Sequence, residues 1–222
     1  MRTIELTRSV TESNDRDAEK IREKLRKEGV LLVNLMSSPG AGTTTFLSAL
    51  ISDLKDQIRI GVMEADIAST VDAETIERMG ARAIQAHTDG MCHMDAGMTA
   101  AALSAIEYRD LDLVFLENIG NLICPAEYDT GAELNVMILS VPEGDDKPLK
   151  YPLMFEKSDA LLLTKVDALP YFRFDTEACI RRAKLLNPDI RVFPLSAKTK
   201  EGMRDFEDWI LEKVRAFQAG AE

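Results

Sequence analysis

Apolar and polar positions along this chain fall into short blocks that alternate in period. Val30-Leu31-Leu32-Val33-Asn34-Leu35-Met36 is a nearly continuous apolar run ahead of a glycine-containing loop, the pattern of a strand buried on both faces. Residues 44–54 then carry helical spacing, and 58–63 reads as a second strand. A short helix over 75–79, a strand over 81–86 and an Ala- and Met-rich helix over 94–106 follow. The run 111–116 is a strong strand, and 136–141 and 160–164 are two more. A helix over 176–186, a strand over 191–195 and an amphipathic helix over 203–217, which contains Trp209, close the chain. Ahead of these, 1–28 is polar and charged, and 15–27 predicts a helix with Ile21 and Leu25 on one face. Such alternation predicts an α/β fold with a mostly parallel sheet and helices on both faces. Ligands of such sheets sit beyond the C-terminal ends of the strands. The expected organisation is an N-terminal helical arm, 1–28, and one domain, 29–222.

Composition narrows the partners. The 222 residues are 45% hydrophobic and 29% charged, ordinary for a globular chain, but the net charge is −11. That charge argues against a broad nucleic-acid surface and against attachment to an anionic membrane. No apolar run is long enough to span a bilayer. Met1-Arg2-Thr3-Ile4-Glu5 lacks the apolar stretch of a signal peptide, so the expected compartment is the cytoplasm. Three cysteines, an odd number, read as thiols or metal ligands rather than a disulfide framework.

The first loop carries the clearest chemistry. Ser37-Ser38-Pro39-Gly40-Ala41-Gly42-Thr43-Thr44-Thr45 lies between a strand and a helix, the context of a P-loop. Glycines let backbone N–H groups turn inward around phosphate oxygens, and the helix N-terminus adds a favourable dipole. Ser38, Gly40, Ala41, Gly42, Thr43, Thr44 and Thr45 are the expected phosphate contacts, with the Thr44 hydroxyl on Mg²⁺. The pattern G-x-x-x-x-G-K-[ST] has glycine where Ser37 stands and lysine where Thr43 stands. The serine is a mild change. The missing lysine removes a charged hydrogen bond of about 1.5–3 kcal/mol, or roughly ten- to hundredfold in binding or transition-state stabilisation.

Two later loops name the base. Thr164-Lys165-Val166-Asp167 follows a strand and matches N-K-x-D with one substitution, and Ser196-Ala197-Lys198 follows the next strand. In that arrangement Asp167 accepts two hydrogen bonds from the guanine N1–H and exocyclic amine, and the Lys165 stem lies along the base. A backbone N–H of the Ser196-Ala197-Lys198 loop reaches O6. The combination points to GTP and GDP rather than adenine nucleotides. Acidic groups end two strands, in Glu64-Ala65-Asp66 and Glu117-Asn118-Ile119-Gly120. Asp66 and Glu117 are the candidate catalytic carboxylates, suited to Mg²⁺ or to the attacking water.

Cys92 and His93 are adjacent, and Cys124 lies in Asn121-Leu122-Ile123-Cys124-Pro125. Thiolate and imidazole suit Zn²⁺ or Ni²⁺. Three ligands per chain leave a site incomplete, which a two-fold dimer would complete by pooling them; ordinary thiols are the competing reading. Cys179, within a helix beside Ile180 and Ala183, reads as core, and His87 ends a short strand.

Taken together, 30–215 resembles the HypB family, hydrogenase nickel-incorporation GTPases of the SIMIBI class of P-loop proteins. The resemblance rests on Asn34-Leu35-Met36-Ser37-Ser38-Pro39-Gly40, Cys92-His93-Met94-Asp95-Ala96, and the run from Glu117-Asn118-Ile119-Gly120 through Cys124-Pro125. Glu143-Gly144-Asp145-Asp146-Lys147-Pro148-Leu149-Lys150-Tyr151-Pro152 and Lys165-Val166-Asp167-Ala168-Leu169-Pro170-Tyr171 are similar too. The resemblance implies GTP hydrolysis, a GTP-dependent homodimer, and delivery of nickel to the large subunit of [NiFe] hydrogenase with the partner HypA. It also implies a Ni²⁺ or Zn²⁺ site at Cys92, His93 and Cys124. The chain departs from the family at Thr43, and in having neither Cys nor His in 1–30, where some members store nickel. One alternative is a nucleotide-sensing metal carrier with little or no hydrolysis. Another is a chaperone GTPase for urease or a cobalamin enzyme, against which the Glu117-to-Pro125 run argues.

Overall fold

The computed structural model describes residues 6–66 and 76–221, with side chains over 12–65 and 76–221. In chain order the elements are α1 (Leu6–Glu28), β1 (Leu31–Ser37), α2 (Thr43–Leu54), β2 (Ile60–Asp66), β3 (Arg82–His87), α3 (Ala96–Ile106) and β4 (Leu113–Glu117). They continue with α4 (Cys124–Glu127), β5 (Leu134–Ser140), α5 (Lys147–Lys150), α6 (Pro152–Glu156), β6 (Ala160–Thr164), α7 (Thr176–Leu186), β7 (Arg191–Pro194) and α8 (Met203–Ala219). The seven strands form one sheet in the order β3-β2-β4-β1-β5-β6-β7, parallel at every pairing. The strand order reverses around β1, whose C-terminal end therefore opens into a crevice between outgoing connections.

Alternation along β1 distributes the core. Leu31, Val33 and Leu35 pack with Phe46, Leu50 and Ile51 of α2 and with Phe206 and Ile210 of α8. Leu32 faces the other way, toward Ala18, Ile21 and Leu25 of α1 and Leu103 and Ile106 of α3. Met36 joins Met137, Leu139, Leu161 and Leu163 beneath Cys179 and Ala183 of α7. Both faces are thus covered, as the unbroken apolar runs require.

Several boundaries differ from the pattern-based expectation, each for a local reason. The helix expected over 15–27 begins at Leu6. The one expected from residue 94 begins at Ala96, because Asp95 caps it by accepting from the Met98 N–H at 2.8 Å. The second strand runs on to Asp66, held on both sides by β3 and β4 through Glu64 and its register partners Gln85 and Glu117. Of the short helix expected over 75–79, residues 76–79 are helical and residue 75 lies outside the described residues. Two proline-led helices, α5 and α6, occupy a stretch that carries no helical period.

A phosphate loop, a base pocket and a thiol pair

The loop after β1 is fixed from three directions. Gly42 caps α2 in a left-handed conformation, φ 98°, which a side chain there would resist. Thr164 Oγ1 donates to the Ala41 carbonyl at 2.8 Å, and Lys165 Nζ donates to the Gly40 carbonyl at 2.7 Å. From β5's end, Glu143 accepts a hydrogen bond from the Ser38 hydroxyl, and also from the Ser140 N–H and hydroxyl at 2.7 Å each. Thr43 is buried with Oγ1 3.2 Å from the Ser37 Oγ, so the residue in the lysine position faces its own loop. Over this loop opens a cavity of about 580 Å³, walled by Gly40, Gly42, Thr44 and Thr45 and by Glu64 and Glu117.

These groups fit a nucleotide's phosphates and a hard cation. The first-turn N–H groups of α2 have no partner within the helix and point out of its N-terminus. No atom lies within 4 Å of where a Cβ on Gly40 would be, which leaves room against the backbone. Glu64 and Glu117 are register partners on adjacent strands, and both line the same cavity as Thr44. Among the described lining residues Lys165 is the one basic side chain. Asp66 ends β2 opposite His87; its side chain lies outside the described residues.

A second cavity, of about 250 Å³, adjoins the first and shares Gly42, Thr45 and Lys165 with it. Asp167 and the Ser196-Ala197-Lys198 loop line it, together with the apolar surfaces of Phe46 and Ala168. Lys165 takes a left-handed backbone, φ 60°, that turns Asp167 toward this pocket while its own side chain returns to the phosphate loop. The two sequence-predicted loops, 123 residues apart at the Thr164–Ala41 bond, therefore build one continuous groove.

Beyond the Glu117 end of the crevice stands the thiol pair. Cys92 Sγ is 2.9 Å from Cys124 Sγ and 3.7 Å from His93 Nδ1. Cys92 is exposed and Cys124 half-buried. The His93 ring is buried and stacks on Tyr128 at 3.7 Å between centroids. Burial pushes its pKa below the usual histidine value, which keeps the imidazole neutral near pH 7, the form that ligates metals. The neighbouring Cys92 thiol pushes that of Cys124 up. Among the described residues, no group of three or more His, Cys, Asp or Glu side chains is arranged to hold a metal ion within one chain. Cys179 is fully buried, and burial raises its thiol to about 11.

Reasoning from sequence misses three site features. Glu64 lines the cavity although Asp66, two residues on, is the more obvious strand-end acid. Glu143 clasps Ser38, a contact across 105 residues that only the Glu143-to-Pro152 run hints at. The asparagines 34, 118 and 121 bond one another or the thiol loops, and the apolar pattern of β1 gives no reason for Asn34.

Similarity to known proteins accords with this geometry. Residues 31–194 match the CobW/HypB/UreG nucleotide-binding domain. Hydrogenase maturation factor HypB of Escherichia coli (strain K12) is 43% identical over 209 residues, 94% of this chain and 72% of that protein. The crystal structure of HypB from Helicobacter pylori in complex with nickel superposes with a TM-score of 0.87 at 38% identity, covering 92% of this chain and 96% of that one. HypB from Archaeoglobus fulgidus gives 0.86 at 35% identity, over 91% and 98% of the two chains. The match to the nucleotide-binding domain over 31–194, together with these relatives and the sheet shared with them, makes this chain a member of the HypB family of hydrogenase maturation factors.

Proposed function

We propose that the chain is a GTP-binding metallochaperone that hydrolyses GTP to regulate nickel insertion into the large subunit of [NiFe] hydrogenase. One observation carries the reading: the cavity over the phosphate loop and the pocket at Asp167 share Lys165, and the segment Glu117 to Gly120 that walls the first cavity is followed four residues on by Cys124, in contact with Cys92. The H. pylori relative, in complex with nickel, supports nickel as the metal.

In this reading Ser38, Gly40, Ala41, Gly42, Thr43, Thr44 and Thr45 hold the phosphates through backbone N–H groups and hydroxyls. Asp167 selects guanine, with Lys165 along the base and Ser196, Ala197 and Lys198 at O6. Thr44 and Asp66 hold Mg²⁺, and Asp66 and Glu117 orient the attacking water; Glu64, beside Glu117, is suited to either task. Bound Mg²⁺ supplies charge neutralisation on the β- and γ-phosphates. Cys92, His93 and Cys124 take Ni²⁺ or Zn²⁺, completed across a GTP-dependent homodimer. HypA and the hydrogenase large subunit are the partners, and the cytoplasm is the compartment. Neither nucleic acid nor membrane enters the scheme.

Thr43 favours a second reading, a metal carrier that senses nucleotide and scarcely hydrolyses it. Its hydroxyl faces Ser37 and brings no charge to the γ-phosphate. The two readings separate on GTP turnover by the chain and by Thr43→Lys. The main reading expects measurable turnover that the variant raises roughly ten- to hundredfold. GTP binding without turnover in the unaltered chain leaves the carrier.

A further inference from the structure

Asn34 is the one polar residue between Leu31 and Met36 on a central strand, and it is 1% exposed. A buried amide costs several kcal/mol unless all its groups are bonded, and an apolar side chain there would avoid the risk. Its bonds show where it leads. Asn34 Nδ2 donates to Asn135 Oδ1 at 2.9 Å on β5, and Asn34 Oδ1 accepts from Asn118 Nδ2 at 3.1 Å at the end of β4. Asn118 Oδ1 in turn accepts from the backbone N–H of Met94 at 3.0 Å, next to His93 and two residues from Cys92. Three side chains thus join β5, β1 and β4 to the thiol-bearing loop, head to tail.

A second tie runs alongside. Asn121 Nδ2 donates to the Cys92 carbonyl, and Asn121 Oδ1 accepts from the N–H groups of Ile123 and Cys124 at 2.9 Å each. One amide therefore grips the backbone at both thiols. Between Asn118 and Asn121 lies Gly120, pressed on the phosphate loop: a Cβ there would stand 3.1 Å from Pro39 Cγ and 3.3 Å from its backbone nitrogen. The absence of a side chain at Gly120 thus lets the segment 118–121 run alongside Pro39 of the phosphate loop.

We propose that Asn34, Asn118 and Asn121 are positioning residues that tie the phosphate loop to the Cys92–Cys124 pair, so that phosphate occupancy sets the spacing of the thiols and hence their nickel affinity. This rests on the nucleotide and nickel reading given above. A ladder that served only to satisfy buried amides would support stability and leave the two ligands uncoupled.

The test is nickel affinity of the full chain, loaded with Mg²⁺ and either GDP or a non-hydrolysable GTP analogue, by competition with a chromophoric chelator. The unaltered chain should show affinities that differ at least about fivefold between the two states, the low end of usual coupling. In Asn34→Ala and in Asn121→Ala the ratio should fall within about twofold of unity, while GDP affinity stays within about twofold of the original. Variants that keep the original ratio overturn the relay and leave the nucleotide and nickel reading standing. An unaltered chain with equal affinities overturns the relay as well, and one that binds neither ligand overturns the underlying reading. If Asn34→Ala does not fold, Asn121→Ala decides, because Asn121 is half-buried in a surface segment.

Discussion

At the scale of single residues the base pocket makes a sharp demand. Asp167 lines a small, largely apolar pocket beside Ala168 and Phe46. In the proposed reading each hydrogen bond that it accepts from guanine is charge-assisted, about 1.5–3 kcal/mol. Asp167→Ala should therefore weaken GTP and GDP binding by at least about hundredfold while leaving the weak binding of ATP unchanged, since adenine presents no donors there. Fluorescent-nucleotide titrations with the four combinations check this. An equal loss for both bases would assign Asp167 to folding of the loop rather than to recognition. Lys165 cannot be probed as cleanly, because its ammonium also braces the Gly40 carbonyl and a substitution would disturb both cavities.

At the scale of elements, the starts of β2 and β4 are joined by a clasp at the end of the sheet opposite the phosphate loop. Arg59 donates to Asp112 from its backbone N–H at 2.8 Å and from its guanidinium at 3.0 Å, and Gln218 of α8 adds a bond at 3.0 Å. The Arg59 hydrogen bond holds the Asp112 carboxyl below its usual pKa. A carboxylate with a depressed folded-state pKa contributes stability that is present above its unfolded value, near 4, and is lost as pH falls through the folded one. Arg59 is 63% exposed, so solvent screening keeps the effect small. Asp112→Asn should lower the midpoint of thermal unfolding by about 2–4 °C at pH 7, the equivalent of ~1 kcal/mol in a chain of this size, and the difference should shrink progressively as the pH falls below about 4. Calorimetry across that range tests it; an undiminished difference at low pH would mean the clasp acts through shape alone. The strands themselves are legible in the sequence, since Leu111 to Leu116 or Ala160 to Thr164 can be little else. Their ends are not, because they depend on partners distant in the chain: β4 starts at Leu113 where Asp112 turns aside to Arg59. The candidate site divides the same way. The phosphate loop and the Lys165-to-Asp167 turn have local signatures imposed by backbone geometry, so spacing finds them. Glu143 on Ser38 and Asn34 on Asn118 are meetings across 105 and 84 residues, with no local pattern to betray them.

For the whole molecule the proposed metal site poses a question of how two thiols and an imidazole could become a complete coordination shell. Each chain offers two thiols and a buried imidazole, and among the described residues no further His, Cys, Asp or Glu completes a metal-binding group. Tetrahedral or square-planar coordination by nitrogen and sulfur needs four ligands. A two-fold axis close to Cys92, the exposed member, would supply a second set without any change within the chain. Nickel affinity is then linked to dimerisation by mass action: whatever raises the dimer fraction raises metal occupancy, and the metal in turn holds the dimer together. The expected result is a nickel affinity that climbs with protein concentration across the dimer's dissociation constant, and climbs at lower concentration when a GTP analogue is bound. Sedimentation velocity at two protein concentrations, run beside equilibrium dialysis of nickel, measures both sides of that linkage. Cys92→Ser provides the internal control, because it should remove the metal's contribution to the dimer and leave the nucleotide's. Metal affinity independent of protein concentration would confine the site to one chain and place its missing ligands elsewhere, in water or in the partner that receives the nickel.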